Sequence, residues 1–557
     1  MANKTETESI EKVVNELITS KMLGRIDESI EESSIEEIIT RYKKDIAKKT
    51  GVDKLLKNSE ILRYLQGGRT DGNDQDIFEH IQKYLIKKPT KTISGVAVVA
   101  VMTSPAACPH GRCVMCPGGL ANNTPQSYTG FEPAAMRGAQ CNYDPYLQVR
   151  HRLEQISAIG HPIGKVELIV MGGTFTSRDL SYQEYFINEC LRAMNEFYNN
   201  EREREQIETG QKTLPIVENE TAKVRNVGIT FETRPDYCKE KEIDTMLNLG
   251  GTKVELGVQT VYDDVLKRIN RGHTVKDSIN ANRLLRDSGL KVGFHMMPGL
   301  PSSNFNKDYD MFKEIFNNED FKPDYLKIYP TLVTEGTELY DWWMKGLYKP
   351  YSTEDAAKLI AEVKKITPPW VRIQRIQRDI PAPHIVDGVK KSNIRQIAQD
   401  ILEKENKRCR CIRCREVGHT DKEPENIDLS LIKYDCSGGE EFFISYEDMA
   451  KDILIGFTRL RFPASPYRRE ISNDTALIRE LHIYGQMLNI GERSDNDGKN
   501  NKIWQHRSYG RLLISKAEEI ARDNGFKKLA VCSGIGVREY YRKLGYSLDG
   551  VYMSKYI

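Results

Sequence analysis

The chain has 557 residues, and its 82 Lys and Arg residues nearly balance its 80 Asp and Glu residues, giving a net charge of +2. This length exceeds one ordinary core and predicts several domains, and the composition is that of a globular protein. No apolar run approaches the roughly 20 residues of a membrane span, and the N-terminus lacks the apolar core of a signal peptide. Eleven cysteines in such a chain predict metal sites in a reducing cytoplasm rather than disulfides.

Residues 1–90 carry apolar residues at helical spacing, which predicts an accessory helical domain. Ile10, Val13, Val14 and Leu17 form one such stripe. Basic residues are concentrated in the same region, and the candidates for contact with RNA are Lys43, Lys44, Lys48, Lys49, Lys87 and Lys88. A basic run is either a solvated helix face or part of a nucleic-acid surface, and both interpretations stay open.

From about residue 91, apolar runs alternate with segments of helical length, which predicts a parallel α/β sheet or barrel. The predicted strands are 96–101, 166–171, 227–232, 254–258, 292–297 and 325–329. Six such units predict a partial (β/α)6 barrel over residues 91–395, and a further run at 371–378 extends the sheet.

Three cysteines, Cys108, Cys113 and Cys116, follow the first predicted strand. In barrels, the loops at the C-terminal ends of the strands carry the chemistry. Three thiolates can hold three irons of a 4Fe–4S cluster and leave the fourth iron open to a ligand such as S-adenosylmethionine. The alternative is a structural zinc completed by His110 or Cys141.

Glycines and polar residues also end the later predicted strands. The second strand ends in Gly172 and Gly173, where missing side chains let a ligand approach the backbone. The third and fourth end near Glu232 and Gln259, and the fifth contains His295. Because these ends share one face with the three cysteines, the sequence predicts a single catalytic site there.

A second cysteine group lies in the segment 396–440, which is predicted to be a zinc-binding linker. Cys409, Cys411 and Cys414 are close enough in sequence to bind one ion, and either Cys436 or His419 supplies the fourth ligand. An all-thiolate site suits structural zinc and favours Cys436. Three arginines in this segment suit an RNA backbone: Arg408, Arg410 and Arg413.

Residues 441–557 predict a mixed α+β domain, with long strands at 452–461 and 476–485 and an amphipathic helix at 511–522. The loop Gln-His-Arg-Ser-Tyr-Gly, which ends at Gly510, leads into that helix, and a helix N-terminus after such a loop binds pyrophosphate through backbone N–H groups. Ser508 replaces a glycine expected in this turn. If the turn requires a positive φ, the serine is predicted to weaken binding.

Two resemblances follow from these motifs. The stretch Cys-Pro-His-Gly-Arg-Cys-Val-Met-Cys-Pro-Gly-Gly resembles the radical-SAM motif of the Elongator catalytic-subunit family, and residues 441–557 resemble the GNAT acetyltransferases. The ending Tyr-Tyr-Arg-Lys-Leu-Gly-Tyr, at 540–546, is similar to the Elongator family in particular. The resemblance implies a radical-SAM barrel fused to a GNAT domain, with a 4Fe–4S cluster, S-adenosylmethionine, acetyl-CoA and zinc.

The resemblance also implies individual site residues. Contacts to S-adenosylmethionine are implied at Gly172, Gly173, Glu232 and Gln259. Contacts to acetyl-CoA are implied at Lys165, Glu480, Leu481, His482, Ile483, Tyr509, Gly510, Arg511 and Tyr541. Catalytic tyrosines are implied at Tyr540 and Tyr541.

The implied activity is formation of 5-carboxymethyluridine at the wobble uridine of tRNA, with the anticodon stem-loop and an electron donor as partners. In the implied mechanism, a 5′-deoxyadenosyl radical takes a hydrogen from the methyl group of acetyl-CoA, and the carbon radical adds to C5 of the base. The alternatives are a protein-lysine acetyltransferase with a structural iron–sulfur cluster and a tRNA-binding scaffold with vestigial catalytic domains. A homodimer also stays open.

Overall fold

The computed structural model describes residues 9–15, 17, 32–50, 56–58, 60–62, 85, 92, 94–199, 213–420, 422–485 and 508–557. The chain separates into two compact units, Met1–Thr92 with His151–Ile163 and Ile93–Arg150 with Gly164–Ile557. The first unit therefore takes in a segment of the region predicted as barrel. Among the described residues, no helix is both long enough and apolar enough to cross a membrane.

The described residues of the first unit are largely helical. Residues 9–15 are helical, and helix α1 spans Glu32–Thr50. The apolar stripe of the sequence is buried here, since Val13, Leu17 and Ile35 are fully buried in one apolar cluster. Burial of this stripe is what holds short helices together in water.

Seven parallel strands in the order β1 to β7 form the first sheet of the second unit. They are β1 (Ala97–Met102), β2 (Lys165–Met171), β3 (Arg225–Thr233), β4 (Gly251–Gln259), β5 (Lys291–Met296), β6 (Tyr325–Ile328) and β7 (Arg372–Ile376). The six predicted strands and the predicted extension are confirmed. Strands such as β4 and β6 are buried on both faces, which is why they read as apolar runs. Because β1 and β7 are the two edges, the barrel is partial.

Helices connect these strands, as the alternation in the sequence predicts. They are α2 (Pro133–Gln140), α3 (Pro145–Ala158), α4 (Leu180–Asn195), α5 (Pro215–Glu218), α6 (Glu240–Asn248), α7 (Asp263–Arg268), α8 (Val275–Asp287), α9 (Phe305–Asn317), α10 (Glu338–Met344), α11 (Thr353–Ile366) and α12 (Ile394–Lys404). Local sequence fixes their ends. In α8, Thr274 accepts from the backbone of Asp277 and completes a capping box.

The second sheet has the strand order β13-β14-β12-β11-β10-β9-β8. Its strands are β8 (Asp428–Cys436), β9 (Gly439–Asp448), β10 (Ile453–Phe462), β11 (Thr475–Ile483), β12 (Lys528–Val531), β13 (Ser547–Asp549) and β14 (Tyr552–Tyr556). The accompanying helices are α13 (Ile412–Arg415), α14 (Tyr509–Asp523) and α15 (Arg538–Arg542). The sheet begins with β8, inside the segment predicted as a linker, so the predicted boundary at residue 441 is too late.

Strands β11 and β12 pair in parallel over four residues, from Thr475 and Lys528 to Ile478 and Val531. Just beyond this pairing, the register between β10 and β11 shifts at Arg459/Leu460, and β11 bulges there. Bulges often lie beside functional sites because they redirect the chain. Residues 480–483 of β11 therefore lie beyond Ile478, the last residue of this strand that pairs with β12.

The two sheets of the second unit meet across buried ions. Arg479 donates to Asp324 at 2.7 Å and to the carbonyl of Leu290 at 3.0 Å. Asp324 and Leu290 directly precede β6 and β5. The second sheet therefore contacts the barrel at the N-terminal ends of its strands.

Candidate active site

A cavity opens at the C-terminal ends of the barrel strands. It encloses about 1120 Å³, a volume that includes space open to solvent at its mouth. Its lining includes Cys108, Cys113, Cys116, Gly173, Glu232, Glu255, Gln259, Arg271, His295 and Tyr329. The structure thus brings the three thiols to the same cavity as residues from the ends of β2 to β6.

The cysteine loop is fixed by backbone contacts to the end of α7 and to the first turn of α10. Val114 N donates to the carbonyl of Ile269 at 3.0 Å, and Leu339 N donates to the carbonyl of Val114 at 3.0 Å. The structure also shows where His110 and Cys141 lie, the two residues that were alternatives for completing a zinc site with these thiols. His110 Nε2 lies 3.1 Å from Cys113 Sγ, whereas Cys141 lies at the C-terminus of α2.

Several buried polar atoms around the thiols have no partner among the described residues. They include Arg234 Nη1, Arg271 Nε and Gln259 Oε1. Unsatisfied buried polar groups are rare in proteins and are expected where a polar ligand binds. Gln259 also has a φ of 71°, a left-handed conformation that is strained for a non-glycine residue and concentrates at functional sites.

The glycines at the end of β2 let the backbone pass close to neighbouring residues. Gly172 and Gly173 have φ values of 130° and 98°, which only glycine adopts freely. A Cβ atom on Gly172 would lie 2.0 Å from Thr103 Oγ1. The thiols, the glycines and the unsatisfied polar atoms together fit a thiolate-bound iron–sulfur cluster with a polar ligand beside it.

A group of charged side chains lies in the same cavity. Lys327 Nζ lies 3.2 Å from Glu232 Oε1 and also contacts Glu255 Oε2. His295 Nε2 lies 3.0 Å from Glu255 Oε2, and the hydroxyl of Tyr128 donates to Glu232 Oε2 at 2.7 Å. The sequence places Glu232 and His295 near strand ends, but gives no signal for Tyr128 or for the pairing with Lys327.

The charges of this group are set by burial and by one another. Although burial alone raises the pKa of Glu255, Lys327 and His295 hold it well below its usual range. Burial opposes the charge on Lys327, yet Glu255 raises the pKa of its amine. Burial and Lys327 lower the pKa of His295. Because the ammonium already lies between Glu232 and Glu255, it supplies the positive charge that a metal ion would otherwise bring to these acids.

Three of the residues predicted as zinc ligands lie together, and neither Cys436 nor His419 belongs to this group. The sulfur atoms of Cys409, Cys411 and Cys414 lie within 4.8 Å of one another. Cys436 lies elsewhere, at the end of β8, where its Sγ donates to the carbonyl of Phe321 at 3.6 Å. His419 Nε2 lies 2.8 Å from Glu416 Oε1. Three thiolates suit zinc or an iron–sulfur group.

The side chains proposed for acetyl-CoA on β11 are engaged in other contacts. Glu480 pairs with Arg459 at 2.8 Å, and His482 Nε2 lies 2.9 Å from the carbonyl of Ser94. Two residues of this strand pack on the apolar core of the second sheet, Leu481 and Ile483. The backbone of 480–483 pairs with β10 on one side and lies past the last residue pair with β12 on the other. Lys165 is the first residue of β2, at the opposite end of that strand from the cysteine loop.

The start of α14 and the paired tyrosines lie together. Ser508 caps α14 with a φ of 69°. A Cβ atom at Gly510 would lie 2.8 Å from the hydroxyl oxygen of Tyr540. Burial raises the pKa of Tyr540 to about 12, so its hydroxyl stays protonated at neutral pH. Tyr541 is 5% exposed and packs in the apolar core. The other predicted contacts at this end, Tyr509 and Arg511, lie in the first turn of the helix.

The predicted tRNA contacts differ in exposure. Lys43 is buried and donates to Asn58. Three other lysines of α1 are exposed, Lys44, Lys48 and Lys49, and Lys87 and Lys88 lie outside the described residues. Among the three predicted arginines of the second unit, Arg408 and Arg410 are exposed and pair with Asp452, and Arg413 is half-buried.

Residues 102–315 match the family model of the Radical SAM superfamily, and residues 323–404 match that of the Radical_SAM C-terminal domain. The partial barrel and its three-thiol cavity therefore belong to a radical-SAM enzyme. The tRNA uridine(34) acetyltransferase of Methanocaldococcus infernus is 52% identical over 541 residues, covering 94% of this chain and 98% of that protein. Elongator complex protein 3 of Saccharomyces cerevisiae is 43% identical over 523 residues, covering 90% and 91%.

A solved structure gives the same result. The archaeal Methanocaldococcus infernus Elp3 with an N-terminal deletion (1–46) has a TM-score of 0.72 to this chain at 50% identity, covering 84% of this chain and 100% of that one. The chain therefore belongs to the Elongator complex protein 3 family. The family resemblance expected from the cysteine stretch and the C-terminal tyrosines is confirmed.

Proposed function

We propose that this protein forms 5-carboxymethyluridine at the wobble uridine of tRNA from acetyl-CoA, with a 4Fe–4S cluster and S-adenosylmethionine as cofactors. The relatives named for tRNA uridine(34) and for acetyl transfer support this substrate pair. The observation that carries the proposal is the cavity that joins Cys108, Cys113 and Cys116 to the ends of the barrel strands. C5 of uridine is a poor partner for an acetyl electrophile, so attaching the acetyl methyl carbon calls for carbon-radical chemistry.

The cavity residues have distinct parts in this proposal. Cys108, Cys113 and Cys116 would hold three irons, and Gly172 and Gly173 would admit the methionine part of S-adenosylmethionine. When bound, this pair of cofactors supplies a carbon-centred radical that can take a hydrogen from the acetyl methyl group. The protein's part is to hold the reactants in line and to keep water away from them.

The second sheet supports the acetyl-CoA part of the proposal. Backbone N–H groups at the start of α14 can bind a pyrophosphate, and the backbone of 480–483 lies beside the opening between β11 and β12. The second sheet contacts the barrel at the N-terminal ends of its strands. The proposed reaction therefore requires the acetyl group to be carried to the opposite end of the barrel, where the cysteines lie.

The proposed function can be tested by anaerobic reconstitution with tRNA, S-adenosylmethionine, acetyl-CoA and a reductant, followed by mass spectrometry of the nucleosides. We expect 5-carboxymethyluridine only when all components are present. Cys113→Ala and Cys116→Ala should lose both the visible absorption of the cluster and the product. A matched control is Cys190→Ala, which removes a buried thiol of α4 outside the cavity lining and should keep both.

Two results would contradict the proposal. One is normal product formation by the variants that have lost the cluster absorption. The other is acetylation of protein lysines, without any dependence on reductant and without modified uridine. That second result would favour a protein acetyltransferase whose cluster is structural.

A further inference from the structure

His295 lies at the end of β5 and lines the cavity that contains the three thiols. Its Nε2 is 3.0 Å from Oε2 of Glu255, an acid whose side chain is fully buried. A carboxylate in this position assigns the ring proton to Nε2 and fixes the orientation of the ring. Among the described residues no hydrogen bond to Nδ1 is present, so that nitrogen has a lone pair available in the cavity.

The two acids beside His295 are committed to other partners. Glu255 faces Lys327 and, at 3.7 Å, Lys253. Glu232 accepts from Tyr128 at 2.7 Å and lies 3.2 Å from Lys327 Nζ. A carboxylate held by a cation is a weak base because accepting a proton would break the ion pair. The imidazole is different because accepting a proton at Nδ1 breaks no ion pair, and because burial and the neighbouring ammonium of Lys327 lower its pKa and leave the ring unprotonated at neutral pH.

We propose that His295 is the general base that removes the proton from C5 of the wobble uridine, and that Glu255 positions its ring. This inference rests on the proposed function and adds a catalytic residue to it. Nothing in the cysteine motif or in the strand pattern alone points to this role, because it depends on the contact between β4 and β5.

The reaction requires such a base. Addition of the acetyl-CoA methyl carbon to C5 forms one carbon–carbon bond and leaves C5 tetrahedral, with its hydrogen still attached. Restoring the C5–C6 double bond requires loss of that hydrogen as a proton and loss of one electron. The proton goes to Nδ1 of His295, where the carboxylate of Glu255 stabilises the resulting imidazolium. The electron goes to a one-electron oxidant of the iron–sulfur class.

His295→Gln tests this role because its amide can still donate to Glu255 but lacks a basic ring nitrogen. The reconstituted enzyme is given tRNA with either protium or deuterium at C5 of the wobble uridine. 5′-Deoxyadenosine and modified uridine are then measured in the same reactions. We expect the variant to form 5′-deoxyadenosine, but about 100-fold less modified uridine, as is typical for loss of a general base. We also expect a larger deuterium isotope effect on the product than in the wild type.

The matched control is His161→Gln, the same change at a histidine that is 5% exposed and bonds to Thr92 at 2.9 Å. It should give both products at wild-type rates. Equal ratios of modified uridine to 5′-deoxyadenosine in the wild type and in His295→Gln would overturn the inference. So would loss of 5′-deoxyadenosine in His295→Gln with the cluster absorption intact, since His295 would then act on the cofactor.

A second measurement on the wild type does not depend on the folding of any variant. The groups that face the ring are Glu255, Lys327, Glu232 and Tyr329. The C5 isotope effect should grow as the pH falls through the pKa of His295, because the imidazolium cannot accept a proton. Because burial and Lys327 lower that pKa, this growth is expected in acid, and an isotope effect that stays constant down to the lowest pH at which the enzyme remains folded would overturn the inference. A wild-type enzyme that makes no modified uridine would instead contradict the proposed function itself.

Discussion

At the scale of single residues, Ser508 is the site where backbone strain bears on ligand binding. Its φ of 69° lies in the left-handed region, which costs a non-glycine residue about 1–2 kcal/mol. This conformation leads the chain into the first turn of α14, whose N–H groups are proposed to bind pyrophosphate. We expect Ser508→Gly to relieve the strain and to tighten acetyl-CoA binding about fivefold, a gain near 1 kcal/mol. Isothermal titration calorimetry measures this change.

Ser508→Ala separates strain from the loss of the hydroxyl, because alanine keeps the Cβ atom. The alanine variant should bind no more tightly than the wild type. If serine and glycine give equal affinities, the strain does not oppose binding, and the hydroxyl or the turn itself compensates for it.

Side-chain pairing is the part of the site that the sequence could not predict. The glycines, acids and cysteines at strand ends could be located because parallel strands expose those ends on one face. Their partners are far away in sequence, however. Tyr128 and Lys327 both contact Glu232, and their sequence separations from it are 104 and 95 positions. Spacing along a chain carries no signal for such contacts. The same holds for Cys436. It is the last residue of β8, and its spacing in the sequence does not show that it lies away from the other three thiols.

At the scale of elements, α13 and the loop leading into it are proposed to bind one zinc ion through Cys409, Cys411 and Cys414. Ile412 N donates to the carbonyl of Val371 at 2.9 Å, just before β7, so the metal would hold this loop against the barrel. We expect Cys411→Ser to lose the metal and to lower the melting temperature, because structural metal binding contributes directly to folding. Elemental analysis and thermal unfolding measure the two effects.

Cys436→Ser is the matched control, since its thiol bonds to the carbonyl of Phe321 rather than to the other three. This variant should retain the metal. Loss of the metal from Cys436→Ser would mean that Cys436 is a ligand after all. Iron in place of zinc in the wild-type loop would contradict the zinc assignment.

Helix α1 presents exposed lysines that can be tested as a tRNA surface. A combined change of Lys44, Lys48 and Lys49 to Gln should weaken tRNA binding, and the difference should shrink as salt is added, because phosphate contacts release counterions. The control changes three exposed lysines of the barrel helices to Gln, Lys239, Lys241 and Lys267, with the same loss of charge. Equal binding by both variants at every salt concentration would leave the α1 lysines as a solvated face. Titration with tRNA at several salt concentrations measures the slopes.

The strands show which elements a sequence predicts well. The sequence predicts all seven strands of the barrel; β4 and β6 are buried on both faces, whereas β2 and β7 alternate more and less buried residues. Strand β8 alternates exposed and buried residues, as expected for an edge strand. It follows the second cysteine group, whose metal-binding pattern favours a linker over a strand. The strands of the barrel, including its edges β1 and β7, were therefore predictable, whereas the edge strand β8 of the second sheet required the structure.

At the scale of the whole second unit, buried ions join its two sheets. Asp324 and Glu441 each contact both Arg286 and Arg479, at distances from 2.7 to 3.4 Å, and all four side chains are at most 1% exposed. Removing one partner of a buried ion pair leaves an uncompensated charge and typically costs about 3–5 kcal/mol. The barrel and the second sheet are therefore expected to unfold together, in one transition.

We expect Asp324→Asn to lower the free energy of unfolding by several kcal/mol at neutral pH, because it leaves buried arginines without a full counter-charge. Burial opposes ionisation of Asp324, but Arg286, Arg479 and Arg459 hold its pKa well below the usual range. Its contribution is therefore complete above the unfolded pKa of about 3.9 and is lost as the pH falls through the lower folded value. The wild type should lose stability in acid more steeply than Asp324→Asn. Denaturant unfolding at several pH values measures both effects.

Asp310→Asn, which alters an exposed pair with Lys313, is the matched control and should unfold like the wild type at neutral pH. If Asp324→Asn also does so, the ions do not hold the two sheets together.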